Sequence, residues 1–431
     1  MKILMLSDVY FPRVNGVSTS IRTFARCLVG MGHRVTLVAP DYGHRARTPG
    51  AHEAEPEPGL EIIRLPSRVI FFDPEDRLIR ASAIKRVLPQ LASRHWDVIH
   101  IHTPFRAHAL GVGLARLTGR PTVETYHTYF EEYVGHYLPW LPASLLRMLA
   151  RRISRRLCHD VDHLIAPSAQ IVQVLERYGI RTPTSVIPTG IDLADFRGGD
   201  GARFRRQNGI AVERPTLVTV SRLAVEKNIE FLLRVARHLM VDFPTLLLIV
   251  AGEGPDAARL KRLAEELGLG NHVRFFGNLD RRTTLLDAYR AGDLFVFASP
   301  TETQGLVLIE AMALGVPIVS TAVMGTADVL RDARSAAVAA GDVEAFAVEV
   351  SRLLLSPDAR GALSAAGPVD AQAWSSDAVM PSVEALYRRL SARRGLGVDG
   401  QVVDGRGVDG QVVDGQAVDA RSGQLQGSGA G

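Results

Sequence analysis

The fold is decided by residues 299–315, SPTETQGLVLIEAMALG, which directly follow an apolar run at 294–298. The apolar run is typical of a buried strand, and we predict that a helix opens near Gly305. A helix that begins at the carboxyl end of a parallel strand directs its unpaired N–H groups and positive dipole end into the crevice where phosphates bind. Gly305 lets a ligand approach the backbone closely. The segment therefore predicts a phosphate-binding unit of an α/β sheet.

Two glutamates in this segment are candidates for ligand binding. Glu302 lies in the predicted loop, and Glu310 lies about one and a half turns inside the predicted helix. A carboxylate accepts two hydroxyl protons at once, which suits a ribose diol for Glu310 and a sugar hydroxyl for Glu302. On spacing alone, a solvated loop residue and a surface helix residue remain the alternative.

Similar strand and helix patterns recur along the chain. Continuous apolar strands joined by helices predict parallel sheets that are covered on both faces. A stretch rich in Gly, Arg and Asp at 197–214 interrupts the pattern, so we expect two doubly wound, Rossmann-like domains at 1–195 and 196–394. The predicted strands are Ile3–Leu6, Val35–Ala39, Glu61–Leu65, Val98–Ile101, Thr122–Thr125, Leu164–Ala166, Ser185–Ile187, Thr216–Val220, Leu246–Ala251, Val273–Phe276, Leu294–Ala298 and Pro317–Ser320.

The tail at 395–431 repeats Val-Asp-Gly with a period of five residues. This pattern differs from known calcium-binding repeats and offers little apolar surface for a core, so we expect a disordered tail. The whole chain has a formal charge of +4, which does not indicate a nucleic-acid partner. We expect a cytoplasmic protein for three reasons. The chain has only two cysteines, it has no apolar segment long enough to span a membrane, and its N-terminal apolar run is too short for a signal peptide.

Three further segments place polar residues where strands end. Ser221–Asn228 contains Arg222 and Lys227, which together can neutralise a diphosphate, although such pairs are more often solvated. Asp8–Val17 brings Gly16 to the start of the first helix. His127 follows another strand, where a structural role is an equal alternative. The Asp and His residues at 159–163 lack convincing metal-site context and are typical of element boundaries, so we expect no metal.

Together these motifs resemble the retaining glycosyltransferases of family 4, which have the GT-B fold, over about residues 1–390. The resemblance rests on Glu302 and Glu310 with seven residues between them, and on Ser221-Arg222-Leu223 with Glu226-Lys227-Asn228. It implies two Rossmann-like domains that face each other across a cleft, with the last helix packing back on the N-terminal domain. It also implies a nucleotide-diphosphate sugar as co-substrate and no other cofactor.

The resemblance implies a role for each matching residue. His127 and Glu302 are the expected catalytic residues beside the transferred hexose. Many relatives have Phe at the position of Gln304, which weakens any transfer of their hydroxyl preferences to this chain. The residues expected to bind the donor are Gly16, Arg222, Lys227, Asn278, Leu279, Thr303, Gln304, Gly305, Leu306 and Glu310.

Within the family, His102-Thr103-Pro104-Phe105 and the segment 126–133 look most like enzymes that glycosylate diacylglycerol lipids, including related mannosyltransferases. Residues 142–157 predict an amphipathic helix, with Leu145, Leu146, Leu149, Ile153 and Leu157 on one face, preceded by Tyr137 and Trp140 as interfacial anchors. We expect peripheral binding to the inner face of the plasma membrane. The basic residues expected to contact anionic lipid are Arg147, Arg151, Arg152, Arg155 and Arg156.

Several alternatives remain open from the sequence. The acceptor can be a soluble sugar or a polysaccharide, and the apolar helix face can pack on its own sheet. A nucleotide-sugar epimerase and a non-catalytic nucleotide-sugar or membrane-binding module are alternatives of other classes. The sequence distinguishes neither UDP from GDP nor glucose from mannose.

Overall fold

The computed structural model describes residues 1–13, 15–43, 59–70, 73–127 and 143–395. Its N-terminal sheet has seven strands, and every neighbouring pair in it is parallel, in the order β3-β2-β1-β6-β7-β8-β9. The sequence did not predict the antiparallel hairpin of β4 and β5. The strands are β1 (Lys2–Leu6), β2 (Arg34–Pro40), β3 (Leu60–Leu65), β4 (Ser67–Ile70), β5 (Asp73–Ile79), β6 (Val98–Ile101), β7 (Thr122–Thr125), β8 (His163–Ala166) and β9 (Thr184–Val186).

The C-terminal sheet has six parallel strands in the order β12-β11-β10-β13-β14-β15. The four inner strands of this sheet are buried along their whole length because helices cover both faces of the sheet, whereas the two edge strands are only partly buried. The strands are β10 (Thr216–Val220), β11 (Leu247–Ala251), β12 (Val273–Gly277), β13 (Leu294–Phe297), β14 (Ile318–Ser320) and β15 (Ala336–Val338). The two doubly wound sheets confirm the predicted α/β architecture.

Helices connect the strands and cover the sheets. The helices are α1 (Gly16–Gly30), α2 (Ala81–Ala92), α3 (Arg106–Thr118), α4 (Ala143–His159), α5 (Ala169–Arg177), α6 (Gly201–Gln207), α7 (Ile229–Leu239), α8 (Ala257–Glu266), α9 (Thr284–Ala291), α10 (Leu306–Ala313), α11 (Gly325–Leu330), α12 (Val343–Leu354), α13 (Pro357–Asp370) and α14 (Ser376–Gly395). Among the described residues, none of these helices is both long and apolar enough to cross a lipid bilayer. The tail expected to be disordered, from residue 396 onward, lies outside the described residues.

The last helix, α14, belongs to the core of the N-terminal domain. Met380, Val383 and Tyr387 are fully buried there, in one cluster with Ile21 and Phe24 of α1. The chain therefore crosses between the domains twice, once after β9 and once before α14. The two crossings pair with each other, because Ser376 N donates to Ile191 O at 2.8 Å and Ile191 N donates to Trp374 O at 3.0 Å.

Candidate active site

The C-terminal sheet brings two predicted ligand-binding loops together. The loop after β10 and the loop after β13 leave adjacent strands, at the point where the strand order reverses. The Asn228 side chain donates to Ala298 O at 3.1 Å, and the Ser299 hydroxyl donates to Glu226 O at 2.9 Å. These bonds hold both loops at one edge of the sheet, where a single ligand can contact both.

Lys227 and Glu302 form an ion pair between these loops. Lys227 Nζ lies 2.5 Å from Glu302 Oε1, and both side chains are about one-fifth exposed. Arg222 lies partly buried in the same loop as Lys227. The structure therefore places Lys227, which is expected to bind diphosphate, in contact with Glu302, which is expected to orient the transferred sugar.

Gly305 precedes helix α10 and has a φ of 95°, which favours glycine. A Cβ atom there would lie 2.9 Å from Thr326 Cγ2, and a Cβ at Gly325 would lie 2.2 Å from the carbonyl group of Thr303. Gly325 N also donates to Glu302 O at 2.8 Å. Two glycines thus allow the loop that carries Glu302 and Thr303 to pack tightly on α11, while Leu306 begins α10.

Glu310 is almost fully buried on α10, and its carboxylate has two protein donors. Arg281 Nη2 lies 2.6 Å from Glu310 Oε1, and the Tyr289 hydroxyl donates to Glu310 Oε2 at 2.8 Å. Burial and the nearby carboxylate raise the pKa of Tyr289 well above its usual value, while the negative charge of Glu310 raises the pKa of Arg281. The sequence analysis missed both partners, because they lie on a different element from Glu310.

Asn278 and Leu279, which are among the residues expected to bind the donor, follow β12. Asn278 is exposed, and its side-chain amide donates to Glu253 Oε2 at 3.2 Å. Leu279 is half-buried against the core of the C-terminal domain. The backbone of this segment is anchored by Gly252 N, which donates to Gly277 O at 2.7 Å.

The structure assigns the Gln304 side chain a contact that the sequence analysis did not anticipate. Gln304 Nε2 donates to Thr189 O at 2.9 Å, and Thr189 N donates to Gln304 Oε1 at 2.7 Å. The Thr189 hydroxyl also lies 2.9 Å from the Ser20 hydroxyl on α1. The side chain of Gln304 is therefore committed to the linker between the domains, although its backbone belongs to the proposed donor loop.

The N-terminal sheet presents Gly16 and His127 at its own carboxyl edge. The Asn15 side chain caps α1 by accepting a hydrogen bond from Ser18 N at 2.8 Å, and there is open space where a Cβ of Gly16 would lie. Burial lowers the pKa of His127 to about 4, so its imidazole is neutral at physiological pH. The Thr303 hydroxyl lies 3.5 Å from His127 O. His127 and the donor loop thus meet across the cleft between the domains.

Asp8 is a second buried group at this edge. Its Oδ2 accepts hydrogen bonds from the Thr103 hydroxyl at 2.9 Å and from Ala107 N at 3.0 Å. Burial raises the pKa of Asp8 to about 6, although these hydrogen bonds act in the opposite direction. The carboxyl group fixes the segment that begins with His102 against the N-terminus of α3.

The apolar face predicted for α4 is only partly buried against the protein: Leu146 is buried, and Leu149 and Leu157 are partly buried. Leu146, Ala150, Ser154 and Cys158 are buried, at intervals of four residues. Leu145 and Ile153 of the predicted apolar face are exposed, and so is Met148. The five expected arginines are all exposed, and the Arg151 guanidinium lies 5.5 Å from the ring centroid of Tyr178. Tyr137 and Trp140 lie outside the described residues.

The acidic residues near 160 have structural partners. Asp162 Oδ2 accepts hydrogen bonds from Thr122 N at 2.8 Å and from the Thr122 hydroxyl at 2.9 Å. Asp160 lies 3.5 Å from Arg116 and 3.7 Å from His108. Within the described ranges, no three metal-ligating side chains are grouped closely enough to hold a metal ion. Asp160 and Asp162 lie just before β8, and the Asp162 carboxylate binds the first residue of β7.

Comparison with known proteins agrees with this architecture. The model of "Glycosyltransferase Family 4" matches residues 14–195, and the model of "Glycosyl transferases group 1" matches residues 200–369. The alpha-monoglucosyldiacylglycerol synthase of Streptococcus pneumoniae is 32% identical over 364 residues, which cover 83% of this chain and 79% of that protein. The chain belongs to glycosyltransferase family 4. The resemblance found in its motifs is thereby confirmed.

Other relatives of this glycosyltransferase extend the comparison. The GDP-mannose-dependent alpha-(1-6)-phosphatidylinositol monomannoside mannosyltransferase of Mycolicibacterium smegmatis is 27% identical, over 85% of this chain and 92% of that protein. The crystal structure of Anabaena Alr3699/HepE in complex with UDP and glucose has a TM-score of 0.73 and 18% identity, over 90% of this chain and all of that one. The structural likeness confirms the GT-B fold.

Proposed function

We propose that this glycosyltransferase moves a hexose, glucose or mannose, from a nucleotide-diphosphate sugar to a hydroxyl group of a diacylglycerol-type lipid. The observation that carries the donor half of the proposal is the contact between Lys227 and Glu302 at the edge of the C-terminal sheet. A cation that can hold a diphosphate and a carboxylate that can hold a sugar hydroxyl lie side by side there.

Each donor-binding residue has a defined task in this proposal. Arg222, Lys227 and the N-terminus of α10 neutralise the diphosphate, while Glu302 releases part of its contact with Lys227 and accepts a hexose hydroxyl. Glu310 accepts the hydroxyls of the ribose, and Arg281 and Tyr289 hold its carboxylate in one orientation. His127 stands opposite the donor loop as a neutral hydrogen-bonding group, which its low pKa supports.

We propose a same-face displacement that retains the anomeric configuration. The bond between the anomeric carbon and the diphosphate oxygen breaks, and the acceptor oxygen forms its bond to that carbon on the same face. The acceptor's proton passes to the departing diphosphate oxygen. Arg222, Lys227 and the dipole of α10 stabilise the negative charge that develops on the diphosphate.

The donor half is tested by titration and turnover in three variants. Lys227→Ala and Glu310→Ala should weaken nucleotide-sugar binding, each by about 1.5–3 kcal/mol, because each removes a charge-assisted contact. Glu302→Ala should mainly lower kcat. UDP-glucose, UDP-galactose and GDP-mannose are compared by thermal stabilisation, since the preferred donor raises Tm by mass action. Wild-type binding and turnover in all three variants would contradict the assignment.

The acceptor half is supported by the relatives and by α4. The names of the pneumococcal and mycobacterial relatives specify glycosylated lipids. In this chain, Leu145, Met148 and Ile153 are exposed on the same helix as five exposed arginines. Apolar side chains that enter an interface and arginines that contact anionic headgroups are the two components of peripheral membrane binding. We propose that α4 docks the N-terminal domain on an anionic membrane surface.

Vesicle sedimentation tests this docking. The wild-type protein should bind vesicles that contain phosphatidylglycerol, and this binding should weaken as the salt concentration is raised. It should not bind vesicles made of phosphatidylcholine alone. Arg151→Glu with Arg155→Glu should abolish most of the binding. Arg237→Glu with Arg262→Glu, which changes two exposed arginines of the C-terminal domain, is the matched charge control. Equal sedimentation of both double variants, with transfer only to soluble sugars, would contradict the lipid proposal and leave the donor half standing.

We propose that transfer needs no metal ion, because Arg222 and Lys227 supply the positive charge at the diphosphate. Activity should therefore persist when EDTA chelates divalent cations. Loss of activity in EDTA, followed by recovery with magnesium or manganese, would contradict this proposal.

A further inference from the structure

Three histidine rings lie in contact at the carboxyl edge of the N-terminal sheet. His100 lies on β6, and His102 directly follows this strand. Residues two apart point to the same face of a sheet, and the two ring centroids are 3.9 Å apart. His127 follows the neighbouring β7 and stacks on His102, with ring centroids 5.6 Å apart and planes inclined by 21°. Only His127 entered the proposed mechanism, which leaves two buried imidazoles without an assigned task.

The hydrogen bonds of this cluster are unequal. His100 uses both ring nitrogens, with Nε2 2.7 Å from the Thr125 hydroxyl and Nδ1 2.5 Å from the Tyr387 hydroxyl. His102 Nδ1 lies 3.3 Å from His127 Nε2. His102 Nε2 is buried and has no hydrogen-bond partner among the residues that the structure describes. Within the described ranges, the ring of His102 therefore has one polar contact, which is with His127.

A neutral imidazole carries one proton, so the contact between His102 and His127 has two arrangements. Burial lowers the pKa of both histidines, which favours the neutral form of each. If His127 donates from Nε2, His102 must carry its own proton on Nε2, and a buried N–H group is left without an acceptor. If His102 donates from Nδ1, only a lone pair is left without a partner, which proteins tolerate more readily than an unpaired N–H.

We infer that His102 is a positioning residue that donates from Nδ1 to His127 Nε2 and thereby fixes the proton of His127 on Nδ1. His127 then offers an N–H donor, rather than a lone pair, to an oxygen atom of the donor sugar; this step rests on the proposed function. The backbone of His127 is fixed as well, since its N–H donates to Thr125 O at 3.0 Å. Ring orientation and protonation are thus both set before the donor binds.

Two substitutions at His102 separate hydrogen bonding from packing. In His102→Asn, the side-chain amide can place an N–H group near the position of Nδ1, whereas His102→Leu fills space without a donor. We expect His102→Leu to lower kcat/KM for hexose transfer roughly tenfold, the effect of one lost hydrogen bond, and His102→Asn to stay within about threefold of wild type. In a His127→Ala background, His102→Leu should have no further effect, because the two residues act as one unit.

NMR of protein labelled with ¹⁵N-histidine tests the protonation state without any turnover. The ring signals of His127 are identified as those missing from His127→Ala. We expect wild type and His102→Asn to carry the proton of His127 on Nδ1, and His102→Leu to lose this preference. Protonation of wild-type His127 on Nε2 would overturn the inference, even if His102→Leu failed to fold. Equal activity losses in two folded His102 variants would overturn it too, whereas absence of transfer in wild type contradicts only the proposed function.

Discussion

Glu310 combines a proposed ligand-binding task with a structural one. Its carboxylate accepts hydrogen bonds from Arg281 and Tyr289, and only 3% of the residue is exposed. Removing one partner of a buried ion pair leaves the charge of the other partner unpaired. This lowers stability more than replacing both partners with apolar residues. Loss of donor binding in a Glu310 variant must therefore be separated from loss of stability.

We predict that Glu310→Ala lowers the free energy of unfolding by about 2–4 kcal/mol, because Arg281 and Tyr289 lose their acceptor. Glu310→Leu combined with Arg281→Met should lower the free energy of unfolding by less than the sum of the two single changes. Urea denaturation of wild type, Glu310→Leu, Arg281→Met and the double variant measures this coupling. Additive effects, within about 0.5 kcal/mol, would show that the ion pair is not a unit.

His163 makes stability depend on pH. Its pKa is lowered from 6.5 to about 4 by burial and by the positive charges of Arg389 and Arg393. Between pH 4 and pH 6.5 the imidazole binds a proton in the unfolded chain but not in the folded chain. This group therefore lowers the free energy of unfolding as the pH drops from 6.5 toward 4, and it has no such effect above pH 6.5. Asp8, with its raised pKa of about 6, has the opposite slope between pH 4 and 6.

We predict that His163→Gln removes up to about 3 kcal/mol of the fall in stability between pH 7 and pH 4.5. The Gln amide can keep the contact that His163 Nε2 makes with the Ser185 hydroxyl at 2.9 Å. Denaturant midpoints of wild type and variant across this pH range give the difference in stability between them. Asp8 is present in both proteins, so its own pH dependence does not contribute to this difference. Parallel curves would contradict the burial of a neutral His163.

Of the site residues, the sequence predicted those that follow a strand and precede a helix. Glu302, Gly305, Arg222 and Lys227 were identifiable because each lies in a local motif of a βα unit. The partners of Glu310 were not identifiable, since Tyr289 is 21 residues away and Arg281 is 29 residues away on a separate loop. No local spacing encodes such contacts, because they arise only when β12, α9 and α10 pack together.

Among the elements, buried strands were the most predictable. Their continuous apolar runs need no information about neighbours. The edge strand β15 has only three small apolar residues, and the hairpin of β4 and β5 carries mixed residues that resemble a loop. The face of α4 was predicted only in part. Its small residues Ala150 and Ser154 pack inward and leave Leu145 exposed, and a pattern based on large apolar residues cannot detect this.

The linker between the domains is an element with its own prediction. Gln304→Met keeps the side-chain volume but removes both hydrogen bonds to Thr189, so we expect stability to fall by about 1–3 kcal/mol and kcat/KM to fall with it. Gln304→Glu can still accept from Thr189 N but cannot donate to Thr189 O, and it should be at least as harmful. Thermal unfolding and donor kinetics of both variants provide the measurement. Wild-type values for Gln304→Met would show that this amide pairing does not hold the donor loop.

For the whole molecule, the position of α14 predicts a sharp limit to truncation. A chain that ends at residue 395 should keep its Tm and activity, because the repeats beyond it offer little apolar surface. A chain that ends at residue 375 loses Met380, Val383 and Tyr387 from the core of the N-terminal domain and should lose cooperative folding. Calorimetry of both chains is decisive. A large fall in Tm for the longer chain would show that the repeats contribute to the fold.

The same helix affects the order in which the protein matures on the ribosome. Strands β1–β9 leave the exit tunnel first, but the helix that completes their core is synthesised only after the whole C-terminal domain. At about 5–20 residues per second, this delay lasts on the order of 10–40 s. During that interval the surface that will receive α14 stays uncovered, so the nascent N-terminal half is a candidate client for chaperones that bind apolar surfaces.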